Sequence, residues 1–127
     1  ETVTRDLLRL SAMLAKLAQR ERNIIPDIVD YIERHYHEDI SLQHIAERFF
    51  LSREYISRKF KQELNENLSD YITRIRLGKA RLLLENPELR IAEVAEMTGY
   101  RDEKYFSKVF KKNVGLSPTD YRKKMFD

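Results

Sequence analysis

Apolar residues recur along this chain with the period of an α-helix almost from end to end. Val3, Leu7, Leu10, Leu14 and Leu17 step by 4, 3, 4 and 3, the a/d spacing of a seam about two heptads long. Ile25, Ile28, Val29 and Ile32 form a second stripe, with Asn23 placed to cap it and His35, Tyr36 and His37 closing it. Ser41 is placed to N-cap a helix carrying Leu42, Ile45, Ala46 and Phe49, and Ser52 one with Ile56, Phe60 and Leu64 inward. Asn67 then opens a long helix over about 67–85, with Tyr71, Ile72, Ile75, Leu82 and Leu83 expected inward. It stops at "ENPEL", because Pro87 disfavours helical backbone in the residue before it.

The same order then returns. Ile91, Val94 and Ala95 predict a short helix closed by Gly99, and Tyr105, Phe106, Val109 and Phe110 predict the next. Gly115 is expected in a left-handed C′ position. Ser117 caps a final helix with Pro118 at its first position. No segment alternates as a strand does, so the expected class is all-α.

The return is a repeat in detail. Ala46-Glu47 lies over Ala95-Glu96 at an offset of 49. Past the break the offset is 50: Ser57 matches Ser107, Phe60 matches Phe110, Lys61 matches Lys111, and Asp70-Tyr71 matches Asp120-Tyr121. The second turn therefore holds one extra residue. Asn65 stands where Gly115 stands, and Asn is the non-glycine residue that best tolerates positive φ. Each unit is a short helix, a turn and a longer helix, the helix-turn-helix pattern. Two copies are too few for a solenoid.

If Ile56 and Phe60 are buried, helical geometry turns Glu54, Ser57, Arg58 and Lys61 outward together. In the second unit Lys104, Ser107, Lys108 and Lys111 share the same spacing, with Glu103 at the edge. Arg58 suits a bidentate contact to guanine, Lys108 the same base edge, and Glu54 or Glu103 a cytosine amino group. Lys61, Lys111, Lys112 and Arg101 suit phosphate, which anchors without reading sequence. A solvated helix face explains one such surface. Two, at matched positions of a repeat, favour a nucleic-acid reader.

Charge supports this. The net charge of the 127 residues is +3, but residues 1–50 carry 7 basic and 9 acidic side chains, whereas residues 51–127 carry 17 and 12. A basic second half suits a polyanion. Cysteine is absent, so disulfides and thiolate metal sites are excluded. No apolar run approaches a membrane span. A chain that begins at Glu1 is expected to be a piece of a longer protein.

Residues about 25–125 resemble the DNA-binding domain of the AraC/XylS family of bacterial transcription regulators. The resemblance is carried by "IAERFFLSREYISRKFKQEL", "YITRIRLGKARLLLEN" and, most specifically, "IAEVAEMTGYRDEKYFSKVFKKNVGLSPTDYR". The last contains Ile-x-x-(Val/Ile)-Ala, Gly-(Phe/Tyr), Tyr-Phe-x-x-Phe-Lys-Lys, Gly-x-(Ser/Thr)-Pro and Tyr-Arg, in order and at family spacing. The resemblance implies seven helices in residues 23–127. They form a first helix-turn-helix at about 41–64, a linker helix at about 67–85 and a second helix-turn-helix at about 91–114. It implies recognition helices near 52–64 and 102–114 in successive major-groove segments of double-stranded DNA. Base contacts carry over to Glu54, Ser57, Arg58, Glu103, Lys104, Ser107 and Lys108. Phosphate contacts are expected at Ser52, Arg53, Lys61, Arg101, Lys111 and Lys112. It also implies an activator that contacts RNA polymerase in the cytoplasm, at the nucleoid. The first turn departs from the family pattern, with Phe50-Leu51 in place of a glycine.

Residues 1–22 lie outside the resemblance. Their seam reads either as a homodimer contact through residues 3–17 or as a linker helix packed on its own domain. His35 and His37 are two apart and point away from each other on a helix, so with His44 they make no expected metal site. No catalytic constellation or cofactor motif appears, so neither enzyme nor cofactor is expected. Arg76 and Arg81 on the linker helix are expected in ion pairs or against phosphate. The rival reading is a helical protein-interaction or dimerisation module without DNA binding, which would expose apolar rather than basic faces.

Overall fold

The computed structural model describes residues 2–22 and 24–127, with side chains described for residues 3–14 and 24–127. The capping role expected of Asn23 and the place of Leu17 in the seam lie outside the described residues. Eight helices and no strand occur among the described residues. They are α1 (Thr2–Arg22), α2 (Ile24–His35), α3 (Leu42–Phe49), α4 (Arg53–Leu64), α5 (Leu68–Leu83), α6 (Ile91–Met97), α7 (Glu103–Val114) and α8 (Pro118–Phe126).

The starts of these helices follow from short polar side chains that accept otherwise orphaned amide N–H groups. Ser41 accepts from His44 N–H, Ser52 from Tyr55, Asn67 from Asp70 and Ser117 from Asp120, at 2.8–3.1 Å. Each is worth about 1 kcal/mol against alanine. At α6 the Glu93 carboxylate accepts from the Arg90 N–H and Nε, and these bonds hold its pKa below the usual carboxylate range.

The helices enclose two cores. Ile25, Ile28 and Ile32 of α2 pack with Ile45, Ile56, Phe60, Leu68, Tyr71 and Ile72 in the first. Leu77, Ala80 and Leu84 pack with Val94, Tyr100, Phe106 and Phe110 in the second. The correspondence extends to ring geometry. Phe60 meets Tyr71 edge-on at 5.3 Å, and Phe110 meets Tyr121 edge-on at 5.5 Å.

Helix α5 belongs to both cores. At about 100° per residue, Leu68, Tyr71, Ile72 and Ile75 lie on nearly the opposite side from Leu77, Ala80 and Leu84. The first half of α5 therefore closes one core and the second half opens the other. This geometry corrects two expectations. Leu82, read as inward, is 61% exposed, because it lies on the first core's side of α5 two turns beyond that core. Leu64 is 37% exposed, because it sits in the last turn of α4, where the chain leaves the core at Asn65.

The departure at Phe50 does not alter the turn. Phe50 has φ 57° and Gly99, its counterpart at an offset of 49, has φ 98°. The closing bonds match too: Leu51 N–H donates to Ala46 O at 3.0 Å, and Tyr100 N–H to Ala95 O at 2.9 Å. Asn65 and Gly115 end α4 and α7 in the same left-handed region, with φ 58° and 97°. In α1 the described seam residues Val3, Leu7, Leu10 and Leu14 are all exposed.

Candidate nucleic-acid interface

The outward faces of α4 and α7 are set by what each helix buries. Ile56 and Phe60 are fully buried in α4, as are Phe106 and Phe110 in α7. Away from these residues Glu54, Ser57, Arg58 and Lys61 are exposed, and Arg53 is exposed at the start of the first turn. The second face exposes Lys104, Lys108, Lys111 and Lys112, with Glu103 exposed at its N-terminal edge. Ser107, expected outward, is half-buried. It lies at the flank of the face, about 80° around the helix from the Phe106–Phe110 direction.

A cleft of about 650 Å³ lies between the two units, lined by Ser57 from α4, Tyr105 and Val109 from α7, and Asn67, Thr73 and Arg76 from the linker. Helices α4 and α7 thus both contribute to the wall of this cleft. Among the described residues, Arg53, Arg58, Lys61, Lys104, Lys108, Lys111 and Lys112 enter no ion pair, whereas Lys59, Arg74, Lys79 and Arg90 are paired to carboxylates elsewhere. Unpaired cations on both faces are free to meet a polyanion without first losing a partner.

Individual side chains start from different states. Arg58 Cζ lies 5.8 Å from the Tyr55 ring centroid, which supports the guanidinium on an aromatic face. Ser52 spends an acceptor lone pair on the α4 cap and keeps its hydroxyl proton to donate. Arg101 is paired: its Nη2 lies 3.3 Å from Asp39 Oδ2, and both side chains are more than four-fifths exposed. Such an exposed pair is worth about 0–1 kcal/mol.

Two features escaped the sequence reading. Tyr105, grouped with the apolar residues of α7, is 58% exposed and borders the cleft. Arg76, expected in an ion pair or against phosphate, instead donates to the backbone carbonyls of Tyr36 and Glu38. No periodicity signals a bond 40 residues away in the chain. The histidines also find local partners: His35 bonds Glu38 and stacks on Tyr31, and His44 Nε2 lies 2.7 Å from the Tyr31 hydroxyl. The His35 bond, ahead of its charge, lowers the Glu38 pKa. Among the described residues no three His, Cys, Asp or Glu side chains gather to hold a metal ion, and no helix is long and apolar enough to cross a membrane.

Comparison with known proteins agrees with this geometry. A family model described as a helix-turn-helix domain matches residues 45–124. The Msm operon regulatory protein of Streptococcus mutans is 36% identical over 94 residues, which is 74% of this chain and 34% of that protein. The chain thus spans about a third of that relative's length. Among solved structures, the C-terminal domain of AraT, a response regulator from Geobacillus stearothermophilus, superposes with a TM-score of 0.78 at 41% identity, covering 80% of this chain and 84% of that one. The DNA-binding domain of AdpA, a global transcriptional factor solved with a target DNA, superposes with a TM-score of 0.73 at 26% identity, covering 77% and 88%. Matched family model, relatives and fold are those of DNA-binding transcription regulators rather than enzymes. With two helix-turn-helix units on one shared helix, the chain belongs to the AraC/XylS family of transcription regulators, whose DNA-binding domain it carries.

Proposed function

We propose that α4 and α7 enter successive major-groove segments on one face of a DNA duplex and read two unlike boxes about one helical turn, ~34 Å, apart. The observation that carries this is the pair of exposed faces bearing unpaired cations, at matched positions of a repeat, on two helices that flank one cleft. Glu54, Ser57 and Arg58 read the first box. Glu103, Lys104, Lys108 and, from its half-buried place, Ser107 read the second. Ser52, Arg53, Lys61, Arg101, Lys111 and Lys112 hold phosphates. The faces differ in charge pattern, so the operator is asymmetric and the protein binds it in one direction. Selection from a random-sequence duplex library with the purified chain tests this. The expected product is a pair of unlike boxes bound with an affinity that falls steeply as salt rises, through counterion release. Failure to enrich any sequence, or salt-independent binding, overturns it.

The chain acts as the output domain of a longer regulator, as the likeness to a response regulator's C-terminal domain supports. In that setting it positions RNA polymerase from its cytoplasmic, nucleoid-bound site. The exposed seam of α1 supports self-association through residues 3–17, because its described apolar positions have the spacing that two helices bury together. Sedimentation should then show a concentration-dependent dimer that Leu7→Lys abolishes. A monomer at all concentrations removes this contact.

A further inference from the structure

Three segments converge on one side chain where the two halves meet. Arg76, in the middle of α5, donates from Nε to the Tyr36 carbonyl at 2.8 Å and from Nη2 to the Glu38 carbonyl at 2.9 Å. Both carbonyls lie just past the end of α2, so the guanidinium fork closes the first half's loop. The same guanidinium lies over the Tyr100 ring, with Cζ 5.5 Å from its centroid. Tyr100 belongs to the second half's turn and is buried in the second core.

The contact is close enough to exclude a side chain. A Cβ on Gly99 would lie 2.8 Å from Tyr36 O and 3.0 Å from Arg76 Nε. One residue past Tyr100, Arg101 reaches Asp39 across the same seam. On the α5 surface Arg76 sits between the side that meets the first core and the side that meets the second. It is thus placed to hold both halves against rotation about α5. Lysine cannot substitute fully, because its single ammonium lacks the planar fork that meets two carbonyls and stacks on a ring.

We propose that Arg76 is a positioning residue that fixes the angle between α4 and α7 and so sets the box spacing the protein accepts. The DNA half of this inference rests on the proposed two-box reading; the angular half does not. Two readers held at a fixed separation bind as one unit, because the second engagement costs little further ordering. A loose junction keeps each reader and loses the preset distance.

The absence of cysteine allows a direct test. Gln62→Cys and Asn113→Cys place spin labels at exposed positions near the ends of α4 and α7. Without DNA, pulsed dipolar spectroscopy should give one narrow distance distribution. Arg76→Met should broaden it, and Arg76→Lys should fall between. A broad distribution with Arg76 in place overturns the proposal, as does an unchanged one in Arg76→Lys or in folded Arg76→Met. On selected DNA, the same variants should keep the boxes but accept neighbouring spacings. Two-box affinity should fall about tenfold while affinity for a one-box duplex stays unchanged. Equal losses on one-box and two-box duplexes would make Arg76 a stabiliser only and overturn it. If the unmodified protein selects no paired boxes, the two-box reading fails, and the label distances still decide whether Arg76 sets the angle.

Discussion

The two helix-turn-helix units bend through the same left-handed position with opposite residues. Phe50 holds φ 57° and is 93% exposed, while Gly99 holds φ 98° with no room for a Cβ. In the first unit the turn faces solvent, so a large residue fits and only backbone strain opposes it. In the second the turn lies against Tyr36 and Arg76, so glycine is required twice over, by φ and by space. One scaffold is therefore kept by different constraints: the second turn is a junction between halves and the first is a free corner. The two outward faces diverge in the same way, with Glu54, Ser57 and Arg58 on one helix and Lys104, Ser107 and Lys108 on the other.

The sharpest way to break this comparison is through the cores. Phe60→Ala and Phe110→Ala should each cost about 4 kcal/mol, as buried Phe truncations do. Because α5 completes both cores, each should lower one common thermal transition. Two separate transitions by calorimetry would show that the halves are independent. Next, Gly99→Ala should cost about 3 kcal/mol in urea unfolding, from left-handed strain and overpacking together. Phe50→Ala should leave stability nearly unchanged.

The readers should separate next. Arg58→Ala should cost about 1–3 kcal/mol of binding and relax preference at one base position, whereas Lys111→Ala should weaken all sequences alike and reduce the salt slope by about 1. Titrations against single-base variants at several salt concentrations distinguish them, and unchanged preference in Arg58→Ala would remove α4 as a reader. Phe50→Gly should then stabilise by about 0.5–1 kcal/mol, the relieved strain exceeding the extra unfolded-state freedom of glycine. Smallest of all, Arg101→Ala should shift stability by less than about 1 kcal/mol, since an exposed pair is all that is lost.

Much of this was legible because local chemistry and fold agree. The caps at Ser41, Ser52, Asn67 and Ser117 and the left-handed ends at Asn65 and Gly115 are written within a few residues of where they act. The inward stripe of α5 was read less well. A single amphipathic pattern assumes one buried face, and this helix changes face near its middle, so the pattern puts Leu82 inside and does not mark Leu77 and Ala80. Arg76 was equally opaque, because its partners are carbonyls, which carry no residue identity. The outward faces of α4 and α7 were legible, but Ser107 shows that periodicity resolves the centre of a face better than its flank.

The shared linker has a consequence for how such a chain is assembled. The repeat recurs every 49 or 50 residues, shorter than the four helices that enclose each core, because α5 ends one unit and begins the next. Helix α8 occupies in the second unit the place that α5 takes in the first, and Arg122 closes the carbonyls of Leu84 and Asn86 from there. Cutting the protein into two autonomous halves would require supplying α5 twice. The architecture is an overlap of two modules rather than a tandem, and neither can be exchanged for another without rebuilding half of its neighbour's wall.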